Sequence, residues 1–469
     1  MLFNSTSFLI FFPVFFSFYL VSRGPWRLWV TLIASNIFYA GWDWRFLPLI
    51  WFSTLLNYFS ALYVVGRPNV LRFAIITNLA LLGIFKYFNF FTGSFANLMQ
   101  ASGLPASPII LEIILPIGIS FYTFHCMSYV IDVSRREMLA EKNLLYFATY
   151  VTLFPQLVAG PIVRAQSLLP QIRKDPQVTW AGLGVGLEMV LWGYVLKLCL
   201  ADNAGPYVDA VFRAPELATH LANVAAVFSF AMQIYGDFAG YSLIAIGIGH
   251  MMGLDFGINF DAPYFSASFR EFWHRWHISL STWLRDYLFI PMGGSRGSRL
   301  QTMRNLSVTM LLGGLWHGAS WTFVIWGALH GAYLIVERLI APSLQAVQTT
   351  LHVPGWATKL VAVPLVFFLT CVAWIFFRAE DFSRAIGMIN LLTSFKDYQW
   401  TLGAIPPECG LIFAMALLVL AVDFCSRHQR VRAWYTSSLA WRAAGAYAMF
   451  AVILLFGSFT GQRFIYFQF

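Results

Sequence analysis

The stretch NLSVTMLLGGLWHGASWTFVIWGALHGAYLIVERL (residues 305–339) has the apolar make-up of helix buried in a membrane, yet it holds two imidazoles, His317 and His330. A spanning helix needs about 20 predominantly apolar residues, each rising about 1.5 Å. The apolar run from 305 to 340 is too long for one straight crossing, so a kink or a helix pair is expected within it. Gly313, Gly314 and Gly318 flank His317, where neighbouring groups can approach the backbone closely and the helix can bend or break. Gly327 and Gly331 form a G-x-x-x-G pair suited to tight helix packing.

The remainder of the chain has the same character. Hydrophobic residues make up 59% of it and charged residues 11%, against about a quarter charged in an ordinary soluble domain. Apolar runs recur along most of the 469 residues, and the expectation is one all-α integral membrane domain, 1–469, of about 11 to 13 spans. The run at 221 to 253 also looks too long for a single straight crossing. The first run has no basic residue before it and no small-residue cleavage site after it, so it reads as a retained helix rather than a signal peptide. Arg23 and Arg27 follow it, and the positive-inside rule places that end in the cytoplasm. The net charge of +9 lies largely in loops, around Arg135, Arg136 and Lys142 for example, and reads as topology rather than nucleic-acid binding. The five cysteines form no C-x-x-C pair and read as packing residues.

One segment departs from this pattern. DFGINFDAPYFSASFREFWHRWHISLSTWLRDYLFIPMGGSRGSRLQTMR (255–304) carries Arg270, Arg275, Arg285, Arg296, Arg299 and Arg304. A central arginine in a lipid-facing span costs about 2.5 to 3.5 kcal/mol even on insertion scales, so this is no ordinary span. Phe272, Trp276, Trp283, Tyr287 and Ile290 share one helical face, which describes an amphipathic helix at the interface or a re-entrant segment packed on the cytoplasmic side. The basic turn PMGGSRGSR then reads either as a cytoplasmic loop or as a landing site for an anionic cosubstrate.

Four of the nine histidines, His274, His277, His317 and His330, fall in and just beyond this segment. On a helix His274 and His277 share a face. His317 and His330 are thirteen residues apart, about 220° of rotation, and point apart on a straight helix. If the chain is helical from Arg304, His317 lies about 20 Å along it, deep in a core about 30 Å thick. An ionisable group there needs a polar partner or a wet cavity, and it reads as functional. His330, beside the glycine pair, reads as a packed histidine hydrogen-bonded across helices. Metal binding is disfavoured, since His274 and His277 supply two ligands where zinc takes three or four and no Cys or acidic cluster joins them. No G-x-S-x-G elbow supports a serine triad. A lone buried histidine suits deprotonation of an acceptor hydroxyl that attacks an activated acyl group, although composition alone does not separate this from proton-coupled transport.

The blocks WHRWHISLSTWLRDYLFIPMGG (273–294), LLGGLWHGASWTFVIWGALHG (311–331), LPIGISFYTFHCMSYVIDV (115–133) and FPQLVAGPIVRA (154–165) together resemble the membrane-bound O-acyltransferase family, and within it the bacterial branch that O-acetylates exopolysaccharides. The resemblance implies a helical bundle around a central tunnel in the bacterial inner membrane. It makes His317, in LWHG, the catalytic histidine and maps the family's second histidine, in WHISLS, to His277. It also implies a cytoplasmic acetyl thioester, acetyl-CoA, as donor and no resident cofactor. The acceptor outside would be the polymer or a periplasmic partner of the SGNH-hydrolase type, within an exopolysaccharide synthesis complex. A carbonyl near His317 could be attacked by a hydroxyl whose proton the imidazole accepts, and the oxyanion would need a donor. Trp316, Ser320, Trp321 and His277 are candidate donors or wall residues, and Arg285 and Arg296 are candidates for the donor's phosphates. The sequence departs from the branch in QIYGDFAGYSLIAIGIG (233–249), where Gly236, Ala239 and Leu243 replace phenylalanine, serine and aspartate while Asp237 remains, and at His125, where glutamine is expected. Alginate, cellulose and peptidoglycan therefore all stay open as polymers. A transporter or flippase is the alternative from another class, but such proteins show inverted repeats or paired broken helices and no internal symmetry is visible here. A scaffold that only anchors a biosynthetic complex is the third reading.

Overall fold

With no water to bind it, backbone inside a bilayer closes its hydrogen bonds within helices. The computed structural model follows this rule: it describes residues 1–112, 114–157, 160–394, 407–459 and 464–465, and among these there is no strand. Among the described residues seven stretches are long and apolar enough to cross a membrane: Pro25–Tyr63, Pro68–Ala101, Trp180–Arg213, Trp321–Thr350, Gly355–Arg378, Cys409–Ser426 and Leu439–Phe456. The protein is a multi-pass, all-α membrane protein. The seven are fewer than the apolar runs read from sequence, because several runs fold as shorter helices, such as Thr6–Val21 and Ile119–Ser134 at 16 residues and Leu144–Thr152 at 9. Sixteen residues rise only about 24 Å, short of a core about 30 Å thick.

Contacts gather the chain into two compact units, Met1–Val190 with Ser242–Gly257, and Leu191–Tyr241 with Ile258–Phe469. In the first, Phe154 lies 5.2 to 6.5 Å by ring centroids from Phe8, Phe11, Phe15 and Phe38, joining the Thr6–Val21 and Pro25–Asp43 helices through one aromatic cluster. Asn57 and Asn78 exchange amide hydrogen bonds of 3.1 and 2.9 Å between Leu47–Tyr63 and Pro68–Leu82, the type of polar pairing that holds apolar helices in register. Gly118, in the IGIS motif, has φ 76°, and a Cβ there would run into the Leu157 carbonyl. This position needs glycine on both counts.

The second unit holds the stretch that opened the sequence reading. Its expected helix pair is present: Arg299–His317 ends at extended Gly318, and Trp321–Thr350 starts from Ser320, whose hydroxyl accepts the Thr322 N–H. The two helices pack backbone to backbone. A Cβ on Gly314 would strike the Phe323 carbonyl, and one on Gly327 the Met310 carbonyl. The other long run behaves differently: His220–Met251 is one continuous 32-residue helix without a helix pair. It contains no proline, and its glycines serve packing instead of breaking, Gly236 lying against the Leu196 carbonyl and Gly240 against that of Gly193. A phenylalanine at 236, the residue expected there, would not fit without moving backbone.

Candidate active site

The basic segment does not form the single amphipathic helix that its spacing suggests. It folds as two short helices, Phe269–Arg275 and Ile278–Leu284, followed by a π-turn over Arg285–Phe289. The break is His277 itself, at φ 42° and ψ 55°. Left-handed backbone is costly for a residue with a Cβ, and such strain concentrates at functional sites. His274 and His277 consequently do not share a face: His274 is exposed and His277 fully buried. Of the expected stripe, Phe272, Trp276 and Trp283 are buried and Ile290 is exposed.

Asn259, just upstream, holds His277 in place. Its carbonyl accepts the Ile278 N–H at 2.9 Å. Its side-chain Oδ1 accepts the Ser279 N–H at 3.2 Å and the Ser279 hydroxyl at 2.9 Å, and lies 3.2 Å from His277 Nδ1. The Ser279 N–H can only donate, which identifies the amide atom as oxygen and puts the imidazole proton on Nδ1. Nε2 is then the lone-pair nitrogen, buried and without a hydrogen-bond partner among the described residues. Burial pushes the imidazole's pKa down to about 3, so it is neutral across the physiological range.

His317 reaches the same place from the other side, at the last residue of its helix and 4% exposed. Its ring centroid lies 6.4 Å from that of His277, 5.0 Å from Trp316, 5.0 Å from Trp326 and 5.4 Å from Phe377. Trp316 also lies 5.9 Å from His277, and Phe238 stands edge-on to His277 at 4.5 Å. Two imidazoles thus meet in an aromatic box, one at a helix end and one at a strained break.

His330 packs behind the box. It stacks on Phe272 at 5.8 Å and meets Trp273 and Trp326 edge-on at 5.2 and 4.8 Å. The cross-helix hydrogen bond expected of it is not made: neither ring nitrogen has a hydrogen-bond partner among the described residues, because its neighbours are aromatic rings. Nor are His317 and His330 unrelated, since the break at Gly318 lets one indole, Trp326, touch both. Trp326 keeps a buried Nε1–H with no acceptor among the described residues, a donor left over inside the box.

On the outer side of Trp273 a cavity of about 790 Å³ is lined by Arg270, His274, Arg285, Glu337 and Arg338. Arg285 lines this cavity and pairs with Asp286 at 2.7 Å, whereas Arg296 is exposed and does not line it. Trp321 is 57% exposed at the start of its helix, away from the buried box that contains Trp316. Asn259, Trp326 and Phe377 were not singled out from sequence. The two rings are ordinary members of apolar runs, and the role of Asn259 depends on a pairing across eighteen residues that no local motif announces. His125 belongs to the first unit, fully buried 5.9 Å from Tyr150.

Comparison with known proteins places the chain in a family. The family model described as MBOAT, membrane-bound O-acyltransferase family, matches residues 118–377, which include both histidines of the box. The chain is 40% identical over 430 residues to a protein named probable alginate O-acetylase AlgI from Azotobacter vinelandii, covering 90% of this chain and 83% of that one. The protein of that name from Pseudomonas aeruginosa is 42% identical over 409 residues, 85% and 76% of the two chains. A peptidoglycan O-acetyltransferase from Helicobacter pylori is 32% identical across 100% of this chain and 98% of its own. With a family match over more than half its length and relatives this similar along nearly all of it, the chain belongs to the membrane-bound O-acyltransferase family.

Proposed function

We propose that this membrane O-acetyltransferase takes acetyl groups from acetyl-CoA on the cytoplasmic side of the bacterial inner membrane and passes them through the His317 box to an acceptor hydroxyl outside. The observation that carries the reading is the pairing of a buried, two-histidine box with an arginine-lined cavity next to it. Arg270, Arg285 and Arg338 supply the charge that the donor's phosphates require, and guanidinium suits phosphate better than ammonium does.

In the reaction His317 accepts the proton of the acceptor hydroxyl as its oxygen attacks the thioester carbonyl. The C–O bond forms, negative charge develops on the carbonyl oxygen, and as the carbonyl re-forms the C–S bond breaks to release the thiolate, which takes the proton back from His317 and leaves the imidazole neutral. The buried Trp326 Nε1–H, with no acceptor among the described residues, is the donor this reading assigns to that oxyanion, and a hydrogen bond of this kind typically lowers the barrier by about 3 to 4 kcal/mol. His277, with its proton fixed on Nδ1 by Asn259, presents Nε2 as an acceptor that orients a hydroxyl or water beside His317. The aromatic walls exclude bulk water, which protects the thioester from hydrolysis.

The acceptor polymer is an alginate-like exopolysaccharide, reached directly or through a periplasmic partner of the SGNH-hydrolase type. The support is that relatives named for alginate are 40 to 42% identical, against 32% for the relative named for peptidoglycan. The test is reconstitution in vesicles with acetyl-labelled CoA on one face and an oligouronate on the other. Label appearing on the oligouronate in the wild type but not in His317→Ala bears the reading out. Movement of a lipid-linked sugar without acetyl donor would replace it with a transporter.

A further inference from the structure

We propose that Arg270 and Arg338 form a two-point clasp for the diphosphate of the donor, and that Glu337 builds it. This rests on the donor reading above and goes beyond it by separating the cavity's three arginines. Arg285 is already held by Asp286 at 2.7 Å. The Arg270 guanidinium has no hydrogen-bond or ion-pair partner among the described residues, and that of Arg338 has only the Ser295 hydroxyl, at 3.5 Å. Hydroxyls lining the same cavity are spent: Ser281 donates to the Trp276 carbonyl, Thr282 to that of Ile278 and Thr309 to that of Asn305. Of the three guanidiniums, those of Arg270 and Arg338 are left open to a ligand.

Their placement comes from one register point between two helices. Phe269 opens the Phe269–Arg275 helix, so its N–H has no acceptor within that helix. Glu337, on Trp321–Thr350, accepts it through Oε2 at 2.5 Å, where a carboxylate also suits the helix dipole. The Phe269 ring stacks on Tyr333 at 4.5 Å, about one turn before Glu337 on the same helix. Phe269 is thereby fixed to that helix by backbone and by side chain. The residues that follow the bonded pair, Arg270 and Arg338, are brought to one cavity by it. Glu337 is the one acid lining that cavity among the described residues, and it is spent on the Phe269 N–H and paired with neither guanidinium. Two uncompensated cations in one pocket suit an anion of more than one charge, and guanidinium meets phosphate oxygens in bidentate fashion. A diphosphate offers one phosphate to each; the phosphate of a lipid headgroup has the same chemistry.

The experiment measures binding of CoA and of inorganic diphosphate to the full chain in detergent, for the wild type and for Arg270→Gln, Arg338→Gln, Arg285→Gln, Glu337→Ala and Glu337→Gln. The wild type is expected to bind both probes in competition. Arg270→Gln and Arg338→Gln should each weaken both by about tenfold to a hundredfold, the range of a charge-assisted hydrogen bond, and Arg285→Gln should weaken them less. Glu337→Ala strands the Phe269 N–H and should match the arginine variants. Glu337→Gln keeps an oxygen for that N–H and should bind at least as tightly as the wild type, which separates a register role from a charge role. Arg270 and Arg338 are exposed, so their variants decide the matter if Glu337→Ala does not accumulate. CoA binding that both arginine variants leave unchanged overturns the clasp and leaves the donor reading intact. A wild type that binds neither probe, but whose unfolding midpoint rises when phosphatidylglycerol is added to phosphatidylcholine vesicles and loses that rise in both arginine variants, overturns the donor reading and gives the clasp to a lipid phosphate. Binding of neither probe without such a lipid effect overturns both.

Discussion

A single methyl group at Gly327 should disable this enzyme. A Cβ there meets the Met310 carbonyl and the Met310 and Leu311 backbone of the facing helix, none of which can rotate away. Alanine has the higher helix propensity by about 1 kcal/mol, which favours the substitution. Overpacking against a fixed wall costs about 1 to 3 kcal/mol, so the balance falls on the destabilising side. Gly387 supplies the control: it lies inside the Phe382–Thr393 helix with nothing within 4 Å of the added carbon, so Gly387→Ala keeps the propensity gain without the clash. The functional consequence follows from location, since Gly327 adjoins Trp326 on one helix and Met310 precedes His317 by two turns on the other. Spreading this pair shifts Trp326 from His317, and misplacement by about 1 Å can cost about 100-fold in rate. Thermal unfolding in detergent and acetyl transfer at equal protein level read both effects. Gly327→Ala is expected to lower the midpoint and the rate together, and Gly387→Ala to leave the rate alone and raise the midpoint slightly. If Gly327→Ala matches the wild type in both, the close packing of this hairpin is not what positions the box.

Three further outcomes follow from particular residues. Lys197 is buried between Asp202 at 2.6 Å and Asp237 at 2.7 Å, and Asp237 also accepts the Ile465 N–H at 2.6 Å. Lys197→Met leaves two buried carboxylates uncompensated and should cost about 3 to 5 kcal/mol, seen as loss of folded protein in detergent; accumulation at the wild-type level would contradict the pairing. Asn259→Leu removes the acceptor that fixes the His277 tautomer while keeping the branched shape, and should lower kcat more than it raises donor KM; an effect confined to KM would remove His277 from the chemical step. Because the folded His277 pKa is depressed to about 3, unfolded chain binds the extra proton first. Stability should therefore fall as pH drops below about 6.5 toward 3, by up to about 1.4 kcal/mol per unit, and His277→Gln should flatten that limb of an unfolding-versus-pH series; an identical limb in the variant would contradict the buried neutral imidazole.

Much of this architecture is legible in the sequence because membrane burial writes plainly in composition. The glycines around His317 announce a helix break, and the structure has one at Gly318. The G-x-x-x-G pair is partly realised, with Gly327 in backbone contact while a Cβ on Gly331 would meet only ordinary neighbours at 3.4 Å and beyond. Periodicity failed at His277, where counting residues as a continuous helix put it beside His274. One left-handed residue rotates everything after it, and no hydrophobic pattern encodes that rotation. Asn259 was invisible for a related reason, since its partner becomes a neighbour only after the chain turns back over eighteen residues. Trp321 shows the converse: adjacent in sequence to the box, it starts a new helix and faces outward.

The role of His317 as the base of the proposed acetyl transfer is read from the acetyl content of the exopolysaccharide from cells carrying His317→Ala, at membrane levels of the protein equal to wild type. Acetylation is expected to fall to the level of cells lacking the protein. Acetylation that stays at the wild-type level would contradict it.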